Sequence, residues 1–207
     1  MALVKYNDNS ISAISSAGQL AIGSLVPIKT LTASGSASLS FVNGSNDVVL
    51  DSTYPIYRFE FINCNPANDS VAFQFNLSTD SGSTYAVTKT TTTFRAYHSE
   101  GGVGGVLQYL TGQDLAQSTS FQNISDSDIG NGSDESCSGS LEIYNPSSTT
   151  FVKHFLATTN TYQSANYSMN NFTAGYGNTT SSIDAIKFQM SSGNFDGTIK
   201  LYGIKDS

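Results

Sequence analysis

Charge is what this chain has least of. Only 12% of its 207 residues are Asp, Glu, Lys or Arg, about half of the usual share. The nine Lys and Arg form no basic run, and the formal net charge is −7. Phosphate recognition needs concentrated cations, so nucleic-acid binding is excluded as an expectation. Long apolar runs are missing too, and nothing approaches the ~20 residues that span a bilayer as a helix. The opening MALVKYNDNSIS carries no apolar stretch of secretory type, so synthesis in a cytosol is expected. Trp is absent and Cys occurs twice, at Cys64 and Cys137; two free thiols are the expectation for a reducing compartment.

What fills the composition is Ser, Thr, Asn and Gly, together with 12 Phe and 11 Tyr. Aromatic and β-branched residues recur along the whole chain, which excludes disorder and fits strands with hydroxyl- and amide-rich outer faces. Alternation of period two dominates. In YPIYRFEFIN, Tyr57, Phe59 and Phe61 share one face and Arg58 and Glu60 the other. VAFQFNL sets Val71, Phe73, Phe75 and Leu77 against Ala72, Gln74 and Asn76. IKFQM and GTIKLYGI repeat the pattern, the latter after a turn at Gly193-Asn194 that reads as a terminal hairpin.

Further strands are predicted over 25–33, 37–42, 84–96, 105–110, 139–144, 150–158 and 162–168, separated by turn clusters such as Asn43-Gly44 and Asn145-Pro146. Helical periodicity is nearly absent, with a turn or two at most over 113–118. About ten short strands with little helix predict an all-β, antiparallel sandwich of jelly-roll type. Residues 25–207 would form this domain, with its last strand inside a sheet. Residues 1–24 read as an N-terminal arm and 123–138 as a long polar surface loop.

Candidate chemistry is sparse. The two histidines, His98 and His154, accompany no nucleophile elbow, and a dyad of His98 with Glu100 competes with a plain strand-end histidine. No enzyme activity and no cofactor are expected. Asp126, Asp128, Asp134 and Glu135 are calcium candidates, since hard cations favour oxygen-rich loops. Their spacing departs from the EF-hand pattern, and a solvated acidic loop is the competing reading. GGVGG at 101–105 lacks the P-loop Lys and Ser/Thr. Tyr162, Tyr167, Phe172 and Tyr176 lie amid Asn and Ser, as a sugar site or an interface would place them. An ordinary aromatic strand pair explains them equally well.

Three blocks carry a resemblance. They are DSTYPIYRFEF (51–61), DSGSTY (80–85) and SGNFDGTIKLYGI (192–204), following the opening MALVKYNDNSIS. In this order they resemble a family of small structural proteins of tailed bacteriophages, especially those of marine bacteria and cyanobacteria. The resemblance implies a non-enzymatic virion component on a β-sandwich: a tail-fibre, appendage or head-decoration protein, made in the host cytoplasm. It also implies a homo-oligomer, expected as a trimer, that contacts other virion proteins. A carbohydrate- or receptor-binding module that meets a host-surface glycan is the alternative.

Overall fold

The computed structural model describes residues 25–205 except Val103. The predicted arm, residues 1–24, lies outside the described residues. Twelve strands follow one another: β1 (Leu25–Ser36), β2 (Leu39–Val42), β3 (Ile56–Pro66), β4 (Phe73–Ser78), β5 (Lys89–Ser99), β6 (Val106–Tyr109), β7 (Gln122–Asn123), β8 (Cys137–Tyr144), β9 (Lys153–Gln163), β10 (Tyr167–Gly177), β11 (Ala185–Met190) and β12 (Phe195–Ile204). Every pairing between them is antiparallel. One sheet has the order β1-β12-β3-β8-β9-β10-β5-β6 and the other β2-β11-β4-β7.

This order contains a jelly roll. With β5, β6, β9 and β10 set aside, two four-stranded sheets remain, β1-β12-β3-β8 and β2-β11-β4-β7. The chain passes from one to the other at each step except between β4 and β7, which pair side by side. That is the double Greek key of a jelly roll. The other four strands are two insertions, β5–β6 between β4 and β7 and β9–β10 between β8 and β11. They extend the first sheet beyond β8 as a four-stranded wing.

The jelly-roll core is aromatic. Phe188 of β11 lies within 5.2–6.4 Å, centroid to centroid, of Phe41, Phe59, Phe61, Phe73 and Phe75. All six rings are buried, each contributing roughly 1.5–3 kcal/mol by burial. Tyr57, Phe59, Phe61, Ile199 and Leu201 face inward as their alternation predicts. β12 lies between β1 and β3, so the last strand is internal.

Several expectations are corrected. The terminal segment is not a hairpin: the turn at Gly193, with φ 74°, carries the chain from β11 in one sheet to β12 in the other. Residues 113–118 contain no helix; the chain turns after β6 and the Leu115 carbonyl accepts from the Thr91 amide. The 162–168 stretch is the β9–β10 hairpin, with Asn166 at φ 64° in its turn. Ala72 and Asn76 are buried rather than outward.

The 123–138 segment departs furthest from expectation, since much of it is interior. The second sheet meets the wing through Phe75 on Phe155, Asn76 on Lys89 and Gln122 on Thr91, and the chain that leaves β7 covers the inner face beyond these contacts. Thr159 Oγ1 donates to the Ile124 carbonyl, Arg95 pairs with Asp126, and Ile129 bridges Val71 and Gln163. Ile124, Ser125, Asp126 and Ile129 are buried as a result. The inner face of the wing is accordingly polar: Thr91, Thr93, Thr159, Thr161, Asn171 and Thr173 are all buried there. Thr91 Oγ1 donates to Gln122 Oε1 of β7 at 2.7 Å, Thr159 Oγ1 reaches the covering segment at the Ile124 carbonyl, and the Thr93 and Thr173 hydroxyls meet each other at 3.3 Å.

Candidate binding and interface surfaces

The wing presents an outer face built on strict alternation. Outward positions are Thr90, Thr92, Phe94, Ala96 and His98 on β5; His154, Leu156, Thr158, Asn160 and Tyr162 on β9; and Ser168, Asn170, Phe172, Ala174 and Tyr176 on β10. The register sets Leu107 and Tyr109 of β6 opposite Ala96 and Phe94. None of these residues is Asp, Glu, Lys or Arg. The jelly-roll half of the same sheet is different: Arg58 there lies 3.4 Å from both Glu60 and Glu142, and Lys200 sits opposite Glu60. The outer face of the sheet therefore divides into a charged half and an uncharged, aromatic one.

Three of the four predicted aromatics share this outer face. Phe172 stacks on Phe94, Tyr176 lies 6.0 Å from the His154 ring, and Tyr162 stands at the other end of the wing. Tyr167 has the opposite parity and turns to the other face, edge-on to Tyr97 at 5.8 Å, with Arg95 over the Tyr97 ring. The four rings thus form no single platform. Sequence reasoning missed Phe94, Leu107, Tyr109 and Leu156, which are 41%, 75%, 55% and 52% exposed. For Phe94 and Leu156 the signal was available as apolar residues on the polar parity of TTTTFRAYH and KHFLATTNTY.

Beside Tyr162 lies a depression of about 400 Å³ lined by His98, Glu100, Asn160, Thr161, Tyr162 and Ser168. Loss of water contact, then Glu100 alongside, raises the Tyr162 phenol above its ordinary pKa. Its hydroxyl donates to Asn166 Oδ1 at 3.2 Å. His98 and Glu100 share this hollow, both exposed. Such a rim of amide, hydroxyl, carboxylate and phenol groups can hydrogen-bond a polar ligand. His154 lies at the far end of the wing.

The calcium candidates go separate ways. Asp126 is buried against Arg95, and burial pushes its carboxyl up while Arg95 opposes the shift. Asp128 Oδ2 accepts from Gln163 Nε2 at 3.3 Å. Glu135 folds back to accept from the Gly132 amide, and Asp134 is exposed. No group of three or more His, Cys, Asp or Glu that could hold a metal occurs among the described residues.

Two interior lysines went unpredicted. Lys89 and Lys153 sit opposite Gly177 from either side, both buried. Lys89 Nζ donates to Asn76 Oδ1 at 2.5 Å and the Val87 carbonyl at 2.8 Å, and Lys153 Nζ to the Phe151 carbonyl at 2.6 Å. Burial lowers both amines, Lys89 to about 7. Cys64 and Cys137 face one another across β3 and β8 as buried free thiols.

No family model, no curated protein and no solved structure matches the chain.

Proposed function

We propose that the chain is a non-enzymatic structural protein of a bacteriophage particle, with the jelly roll as its rigid body and the wing as its contact surface. The observation that carries this reading is the outer face of β5, β6, β9 and β10, which exposes large apolar side chains and no Asp, Glu, Lys or Arg. Exposed apolar patches of this kind mark interaction sites. The phage setting rests on the resemblance of the 51–61, 80–85 and 192–204 blocks. Residues 1–24 are proposed to dock to the particle or to a sister subunit. Protein mass spectrometry of density-purified particles, from a lysate of the strain carrying the gene, tests the reading. The chain should be present in stoichiometric amount; its absence from particles, with abundant free protein in the lysate, overturns it.

A second reading is supported by the hollow at Tyr162. Asn160, Glu100 and Ser168 beside an aromatic ring are the groups a sugar-binding site uses. Host-surface glycan would then be the ligand, and binding on a glycan array that Tyr162→Ala abolishes is the expected result. An array with no binding dismisses it.

A further inference from the structure

The wing shows what kind of partner its outer face fits. Leu107 and Tyr109, the Phe94–Phe172 stack and Leu156 stand up in successive rows, and depressions lie between them. One, of about 470 Å³, lies among Ala96, Gly105, Leu107, Ser168 and Asn170. A second, of about 240 Å³, lies among Thr92, Phe94, Leu156, Thr158, Phe172 and Ala174. A third, of about 340 Å³, is bounded by Thr90, Thr92, His154, Leu156, Ala174 and Tyr176. Projections and hollows of matching apolar character alternate within one surface, which is the relief a self-complementary contact requires.

We propose that this face packs against the same face of a second copy of the chain about a two-fold axis. The inference rests on the assembly reading above and assigns it a contact surface. Electrostatics selects the occupant. Each copy carries a net charge of −7, so most approaches set acidic surface against acidic surface, whereas the outward positions of β5, β6, β9 and β10 are uncharged. Carboxylates stand only at the margin, where Glu142 pairs with Arg58 opposite Leu156 and Asp114 accepts from the Tyr109 hydroxyl. The centre of the face also offers a glycan few partners, because Thr92, Ala96, Ala174 and Leu156 surround the Phe stack with Asn170 as the amide beside them.

The area is sufficient. The exposed fractions of Leu107, Leu156, Tyr109 and Phe94, with aromatic side chains of 150–250 Å² each, give a patch on the order of 500 Å². Two such patches bury on the order of 1,000 Å² in total, the threshold for a specific interface. The opposite edge of the sheet is guarded: β1 carries Pro27, Lys29 and two register shifts, devices that discourage pairing. β6, the edge of the wing, reads Val-Leu-Gln-Tyr, exposed throughout and with no Pro or charge.

Sedimentation equilibrium of the full chain at about 100 µM, well above a micromolar dissociation constant, tests the proposal. The wild type should sediment as a dimer or an even multiple of one. The Leu107→Glu/Leu156→Glu variant should sediment as a monomer with an unchanged circular dichroism spectrum, since both side chains already project into solvent. Hydrogen exchange read against concentration should show protection growing at 92–96, 106–109 and 154–158. A monomeric wild type, a trimer, or an oligomer unmoved by the two substitutions overturns the two-fold contact. Presence of the chain in purified particles is read separately, so this contact can fail while the structural role stands.

Discussion

Phe94 and Phe172 stack across β5 and β10 with ring centroids 4.9 Å apart and planes 11° from parallel. The stack lies on the solvent side of the wing, where its loss costs the fold little. Phe94→Ala should destabilise by about 1 kcal/mol, the worth of an aromatic pair. Phe188→Ala removes the hub of the buried cluster and should cost roughly 3–5 kcal/mol. Urea unfolding separates the two, and a loss above 3 kcal/mol at Phe94 would contradict a surface role.

Lys89 makes stability depend on pH. Its amine titrates near 7 in the folded chain against 10.5 as the ordinary value, so between these values the unfolded state binds more protons. Stability therefore rises with pH, by roughly 2 kcal/mol between pH 7 and 9, and this contribution is lost below pH 7. Lys153 acts in the same direction. Urea midpoints at pH 7, 8 and 9 should climb in the wild type and flatten in Lys89→Met. A midpoint that falls over this range would contradict the assignment.

The Arg95–Asp126 pair ties the covering segment to the wing, with the Asp126 side chain fully buried and that of Arg95 18% exposed. Arg95→Met leaves a carboxylate buried without its cation and should cost roughly 3–5 kcal/mol at pH 7. The loss should shrink toward pH 4, where the orphaned carboxyl takes up a proton. The Arg95→Met/Asp126→Leu double variant should be more stable than Arg95→Met alone; additive losses would show that the two residues act independently.

Cys64 and Cys137 should be inert in the folded protein. Burial raises both thiols, Cys137 to about 11, and the thiolate is the reactive form. A thiol reagent at pH 7.5 should label neither residue in native buffer and both in denaturant. Rapid native labelling would show that β3 and β8 separate on that timescale.

Legibility in the sequence followed parity. Where one face is core and the other solvent, as at Tyr57, Phe59 and Phe61 in β3, alternation reveals the inward side. It fails where both faces are covered: Asn76 is interior because Lys89 and the Tyr85 and Thr119 carbonyls saturate its amide. The 123–138 segment looked solvent-borne because its composition is polar, yet it covers a polar inner face, and that matching is a tertiary fact. Parity also separates Tyr167 from Phe172 and Tyr176. Insertion of two hairpins into a jelly roll was not legible, because pairing partners far apart in the chain leave no local signature. One local trace of the junction exists. A Cβ at Gly139 would lie 2.7 Å from Thr159 Cα, so a residue without a side chain stands where β9 meets β8.

Assembly through the wing is the claim on which the functional account turns. Cryo-electron microscopy of purified particles containing the chain tests it most directly. Density should bury the outer face of β5, β6, β9 and β10 against another protein surface in every copy, with Leu107 and Leu156 inside the contact. Copies held in the particle by the charged β3–β8–β12 half, with the wing open to solvent, would contradict it.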